Sequence, residues 1–322
     1  MRKLCVLIVL ALCLMLQSCS PQMTGLVPTV VHRYGDSVFV FVEKLGGESS
    51  VYVDIWRWPE DSPVPHKNHS TRIPGNAASV LSFCCGYGDA LYVPTSEGVW
   101  KVTVNGECRL ATDKAYEFFP QVSEDGVCLA GTPSPSESSV LLRLETMEEV
   151  SDWSQLPNSD LFGIYVGKDV LLRWGDNKAK LLSRSSLLDI ADIPLESTAQ
   201  GGAVIGSRAI LVCNEHLVVY DWKKNSLTHL EVQSPLGEHY PYIMLMARPI
   251  SKKAIACTTL LGGNAFLYSL GDSDEEVNVD EYKLGFVTEA VAFEDCFIGA
   301  TFSDDDGVSY ELRRAFYRDV EK

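Results

Sequence analysis

Positive charge is scarce in this chain: 27 Lys and Arg stand against 43 Asp and Glu, a formal net charge of −16. A surface that negative repels nucleic-acid phosphates and anionic lipid head groups, so no nucleic-acid partner is expected. Metal-binding spacings are missing as well. No C-x2-C and no H-E-x-x-H occurs, so neither a metal nor a cofactor is expected. The chain also lacks a P-loop, a dinucleotide-binding fingerprint and a G-x-S-x-G nucleophile turn. No catalytic residue is assigned on these grounds, and a binding role is preferred to an enzymatic one. Long helical periodicities are nearly absent, which leaves strands to build the core.

What is present begins at the amino end. Arg2 and Lys3 precede an unbroken apolar stretch, Leu4 to Leu16, too short for the roughly 20 residues a membrane-spanning helix needs. That pattern predicts a signal peptide over residues 1–18. Its end, Leu16-Gln17-Ser18-Cys19, resembles the bacterial lipobox. The resemblance implies cleavage before Cys19 and acylation of its sulfur and amine, with residues 19–26 as a short lipidated linker. Each buried CH2 contributes about 0.8 kcal/mol, so several acyl chains anchor stably where one does not. Ser20 follows the cysteine in place of Asp, which by resemblance to enterobacterial sorting points to the outer membrane. Without Arg2 and Lys3 the charge moves from −16 to about −18, and any electrostatically preferred partner is a protein with a cationic surface.

Ten cysteines suggest disulfides until they are sorted by position. Cys5 and Cys13 belong to the signal and Cys19 to the anchor, leaving Cys84, Cys85, Cys108, Cys128, Cys213, Cys257 and Cys296. Most lie in apolar runs, where a free thiol behaves as a small hydrophobe. Alternation along one strand accounts for the adjacent Cys84 and Cys85, and the number of bridges stays open.

The most informative feature is a repeat. Seven segments share an apolar run, a polar turn and a second run rich in β-branched or aromatic residues, among them VVHRYGDSVFVFV, SFCCGYGDALYVPT and FGIYVGKDVLLRW. Second runs begin near 36, 89, 125, 168, 207, 252 and 294, at intervals of about 43 residues. A third run follows each pair, as in SVYVDIWRW or HLVVYDWKK, and then a weaker fourth such as TRIPG, CRLATD, SLTHLEV or AFYRDV. Four short strands per unit at this period resemble the β-propeller, so we expect an all-β, seven-bladed, four-stranded propeller over residues 27–322. The G-H and W-D signatures of WD40 repeats are missing, as is the tryptophan-docking motif of the quinone-type propellers. Blades are read as starting with the channel-side strand, although GLVPTVV could instead complete the last blade.

In a propeller, loops joining second to third strands and blade to blade share one face and commonly carry binding. Here they are rich in carboxylates, including Glu43, Glu48, Glu97, Glu137, Asp176, Asp304, Asp305 and Asp306. This acidic face is the candidate docking surface for a cationic protein partner. Trp174, beside Gly175 and Asp176, is the tryptophan singled out as a stacking surface for a sugar. Trp56, Trp58, Trp100 and Trp222 are read as packing between blades, and Trp153 as part of a fourth strand. His66 and His69 are placed in a loop, without further ligands to make a metal site. Ser303–Gly307 misses the first ligand of an EF-hand loop, where Phe302 stands. Channel-side strands offer His32, Glu117 and Glu294, too dispersed to assign an acid and a base. The expected function is a lipid-anchored binding or scaffolding propeller of the bacterial envelope. A glycan-binding or glycoside-processing propeller and a periplasmic lipoprotein immunity factor are the alternatives.

Overall fold

The computed structural model describes residues 26–44, 50–75, 84–131, 139–152, 161–213, 216–232, 245–259, 264–271, 276–283, 287–302 and 309–317. Every element among them is a strand. Blade 1 comprises β1 (Leu26–Tyr34), β2 (Ser37–Lys44), β3 (Ser50–Arg57) and β4 (His66–Ile73), and blade 2 comprises β5 (Cys85–Tyr87), β6 (Ala90–Thr95), β7 (Gly98–Thr103) and β8 (Cys108–Thr112). Blade 3 holds β9 (Glu117–Val122), β10 (Val127–Gly131), β11 (Val140–Arg143) and β12 (Glu148–Asp152). Blade 4 holds β13 (Leu161–Val166), β14 (Val170–Gly175), β15 (Lys178–Ser183) and β16 (Asp189–Pro194). β17 (Ala199–Ile205), β18 (Arg208–Cys213), β19 (His216–Asp221) and β20 (Ser226–Glu231) make blade 5. β21 (Leu245–Pro249), β22 (Ala254–Thr259), β23 (Asn264–Leu270) and β24 (Val277–Lys283) make blade 6. Blade 7 contains β25 (Val287–Ala292), β26 (Cys296–Phe302) and β27 (Tyr310–Phe316) within the described residues. Each sheet is an antiparallel meander in sequence order, and the seven form the expected β-propeller.

Strand alternation explains why the ring holds together. Successive side chains on a strand point to opposite faces, so each blade has one apolar face for each neighbour. In β10, Val127 and Leu129 pack against blade 4, whereas Cys128 and Ala130 pack against blade 2. Seven buried clusters fill the seven seams, from blades 1 and 2 round to blades 7 and 1. The first strands meet around the centre: β1 touches β5 and β25, β5 touches β9, β9 touches β13, and β17 touches both β13 and β21.

The turn between first and second strands repeats in atomic detail. In every blade a residue at the end of the third strand, the last one in blade 6 and the next one in the others, donates its N–H to a carbonyl of that turn: Trp58 to Asp36, Val104 to Asp89, Leu144 to Gly126, Arg184 to Asp169, Trp222 to Ser207, Leu270 to Lys253 and Tyr317 to Asp295. Gly35, Gly88 and Gly206 open two-residue hairpins with φ near +57°, a conformation that glycine adopts without strain.

Closure settles the register. β1 pairs with β2, so GLVPTVV does not complete the last blade. Val30, Val38, Val40 and Val42 instead pack on Ile298, Ala300, Tyr310 and Leu312 across the seam. A polar network reinforces them. Asp54, 3% exposed, accepts hydrogen bonds from Tyr310 Oη at 2.6 Å and Ser70 Oγ at 2.5 Å. It also faces Lys67 Nζ at 2.7 Å. Trp56 Nε1 donates to Tyr310 Oη at 3.1 Å, and Arg33 binds Asp295 at 2.7 Å. Arg314 lies between the Trp58 and Phe316 rings, 4.6 and 4.5 Å from their centroids. Two boundaries differ from expectation. His66 and His69 lie on β4 and not in a loop, and AF of AFYRDV ends β27, the third strand, because the third strand runs through them.

Candidate functional site

The expected docking face is built from short turns on rigid strands. Glu97 sits in the Ser96-Glu97 turn between β6 and β7. There the buried Thr95 hydroxyl donates to Gly98 O at 3.0 Å and accepts the Glu97 N–H at 3.2 Å. Gly98 has φ +123°, and a Cβ there would meet the Thr112 carbonyl at 2.2 Å, so only glycine closes this turn. Asp176 occupies the corresponding turn of blade 4 and accepts a hydrogen bond from the Thr198 hydroxyl at 3.2 Å. Both carboxylates are exposed, as are Asp113 and Glu196 on the neighbouring between-blade loops. The cations described at this end include Lys44, Lys178 and Lys114, the last engaged by Glu149. Glu97 and Asp176 therefore share a face, on blades 2 and 4 with blade 3 between them. Glu48, Glu137, Asp304, Asp305, Asp306, Trp153 and Cys19 lie outside the described residues.

Trp174 is not available for stacking. It is 4% exposed, and its indole lies flat where a Gly163 side chain would stand: a Cβ there would meet Cε2 at 2.0 Å and Nε1 at 2.1 Å. Gly202 of blade 5 gives room on the other side, 3.1 Å from Cζ3 by the same measure. The ring fills the seam between blades 4 and 5, so the expectation of a sugar platform is withdrawn. Trp56, Trp58, Trp100 and Trp222 pack between blades as expected. Trp56 meets Tyr310 of blade 7 with centroids 5.5 Å apart, while Trp100 and Trp222 join the seams of blades 1 and 2 and of blades 4 and 5.

The channel residues do not converge. Glu117 opens β9 at the docking-face end, whereas His32 lies at the opposite end, beside the first turn of blade 1, and Glu294 sits in the turn between β25 and β26, off the channel-side strand where it was expected. His32 Nε2 donates to Gly88 O at 2.8 Å, and its ring occupies the space a Gly86 side chain would need. Burial lowers the His32 pKa, against the Gly88 hydrogen bond and with the help of the Arg248 charge. Arg248, which the sequence reading passed over, reaches into this mouth from β21. It donates to Ala292 O at 3.1 Å, lies over the Phe293 ring, and its charge is felt by Tyr165 and Tyr317 as well. Burial pushes the Tyr165 phenol up to about 12. His69 packs over Gly106 of blade 2, and no group of three metal-ligating side chains occurs among the described residues.

A second acidic region was missed. On the face opposite the expected one, described turns of blades 7, 1, 2 and 3 carry Glu294, Asp36, Asp89, Glu124 and Glu145, whereas those of blades 4 to 6 carry Lys168, Lys223, Lys224, Lys252 and Lys253. The repeated Tyr-Gly-Asp at 34–36 and 87–89 was the signal in the sequence. Between blades 2 and 3 on that side, a cavity of about 230 Å3 is lined by Tyr92, Lys101, Arg109, Leu110, Glu145 and Met147 among others.

No protein-family model and no curated protein matches this chain. Among solved structures it is similar to a chain in the crystal structure of the mitotic checkpoint complex, at 12% identity and a TM-score of 0.53, over 92% of this chain and 96% of that one. Hsv2p of Kluyveromyces lactis aligns at 9% identity and a TM-score of 0.48, over 89% of this chain and 97% of that one. BamB of Moraxella catarrhalis aligns at 11% identity and a TM-score of 0.44, over 88% and 95%. The first likeness shows the propeller fold.

Proposed function

We propose that this chain is a non-catalytic binding or scaffolding propeller that docks a protein with a cationic surface, held to a bacterial envelope membrane, more specifically the outer one, through acylated Cys19. The observation that carries the docking half is the placement of Glu97 and Asp176. Both are exposed carboxylates at one end of a ring whose seams are filled: the Glu97 backbone is held by Thr95 within its turn, and the Asp176 carboxylate accepts from Thr198 on the loop to blade 5. Pre-set charge of this kind steers encounter and fixes orientation without demanding motion on binding. The anchoring half rests on Leu16-Gln17-Ser18-Cys19.

Crosslinking in the native envelope, followed by purification at low and high salt, tests docking. A stoichiometric protein partner retained at low salt and released at high salt is the expected result, and Glu97→Lys with Asp176→Lys should weaken its capture at least tenfold. Capture that is insensitive to both salt and charge reversal overturns the docking reading. Labelling with radioactive palmitate tests the anchor: incorporation that persists in Cys19→Ala overturns it.

A further inference from the structure

Cys85 and Cys128 face each other across the seam between blades 2 and 3. Alternation on the strand sends Cys84 into the seam with blade 1 and Cys85 into the seam with blade 3. Cys128 comes to the same cluster from the other side, out of β10. Cys85 Sγ donates to Phe119 O of β9 at 3.3 Å, and β9 is the strand that pairs with β10 beside Cys128. Both side chains thus belong to one buried cluster, and both residues are sealed from solvent at 1% and 0% exposure. No disulfide joins any of the seven described cysteines.

We propose that Cys85 and Cys128 are a dithiol site that closes into an inter-blade disulfide when the chain folds in the presence of a disulfide oxidant. With oxidised glutathione, one cysteine thiolate attacks a glutathione sulfur and one glutathione thiol leaves. The second cysteine thiolate then attacks the protein sulfur of the mixed disulfide and expels the other glutathione. Two protein thiols are oxidised, one disulfide is reduced, and two glutathione thiols carry away the protons. The bridge ties the first strand of blade 2 to the second strand of blade 3.

Timing is part of the inference. The thiolate is the attacking species, and burial, reinforced by the neighbouring Cys128 thiol, holds the Cys85 thiol well above its ordinary pKa. Once blades 2 and 3 have docked, the pair is both unreachable and protonated. The bridge forms during folding, before the seam closes, and a protein folded reduced stays reduced.

The test is to unfold the full chain in urea with a reductant and refold it either in reduced glutathione or in a mixed reduced and oxidised glutathione buffer. Free thiols are then alkylated and disulfide peptides mapped by mass spectrometry. The expected result is a Cys85–Cys128 cross-linked peptide from the mixed buffer alone, a loss of two mass units, and a higher urea midpoint than the reduced form. It should persist in Cys84→Ser and vanish in Cys85→Ser and Cys128→Ser. Adding oxidised glutathione to already folded reduced protein should give less than a tenth of that yield over the same hours. Recovery of Cys85 and Cys128 fully alkylated after oxidative refolding overturns the proposal, as does a Cys84–Cys85 bridge in their place. The mapping is made on the unsubstituted chain, so it decides even where a serine variant fails to fold.

Discussion

Removing one hydroxyl at the closing seam should open the ring more easily than removing one elsewhere. Tyr310→Phe deletes the donor to Asp54, a hydrogen bond of 2.6 Å to a carboxylate that is 3% exposed. Hydrogen bonds to charged groups contribute about 1.5–3 kcal/mol. Asp54 keeps Ser70 and Lys67, so its charge is not stranded. The Trp56 indole N–H loses its acceptor too, but that side chain is half-buried and water replaces much of the bond. The sum is about 2–3 kcal/mol. At about 2–4 °C per kcal/mol for chains of 150–250 residues, melting should fall by roughly 5 °C. Tyr116→Phe at the seam of blades 2 and 3 is the matched control. Its hydroxyl donates to Glu149 at 3.1 Å, but the Glu149 side chain is 42% exposed, so the loss there should stay near 0.5 kcal/mol. Urea melts of both variants followed by circular dichroism make the comparison. Equal losses in the two, or a loss below about 0.5 kcal/mol in Tyr310→Phe, would refute the idea that closure depends on this network.

Gly163→Ala should destabilise by about 2–3 kcal/mol, because its Cβ would stand 2.0 Å from the Trp174 ring. Gly131→Ala, whose Cβ would meet nothing nearer than 3.9 Å, should change stability by less than about 0.5 kcal/mol; thermal melts separate the two. His32 gives a pH signature. Its folded pKa is lowered by burial, so its stabilising effect is complete above the unfolded value of about 6.5 and drains away as the pH falls through it, when only the unfolded chain gains the proton. His32→Gln should therefore flatten the decline in melting temperature between pH 7.5 and 5.5. Asp125 titrates the other way. Arg184, bound at 2.5 and 2.7 Å, holds its carboxyl well below the usual range, against some desolvation. That stabilisation is present above about pH 4 and is lost as the solution becomes more acidic. The pair is partly exposed, so Asp125→Asn should cost only about 1 kcal/mol at pH 7 and progressively less below pH 4, read by urea midpoints across that range.

The architecture was legible because each blade spans about 43 residues and each strand alternates between two apolar faces. The seven predicted turns coincide with the seven whose carbonyl accepts the third-strand N–H. Cys84-Cys85 was read as alternation, and the two residues do enter different seams. Trp174 was misread because polarity in the next residues suggested a surface. What buries the indole is Gly163 and Gly202, and a missing side chain leaves no mark in a hydropathy pattern. His66 and His69 went into a loop because a strand exposed on its outer edge carries no apolar alternation. Arg248 was passed over for a related reason: the central channel is made by seven strands far apart in sequence, and no local window shows which residues meet there.

The repeated bond between the first turn and the third strand makes one end of the propeller a clamped edge and the other a free one. Connections at the clamped end, from first to second strand, run from two to four residues, whereas those joining second to third strands at the other end run from two to eight. Insertions placed at the free edge lengthen a loop without touching a blade, while insertions at the clamped edge displace the carbonyl that sets where a third strand leaves its sheet. The two faces are thus unequal as places for change. New binding specificities can accumulate on one while the other keeps the ring's geometry.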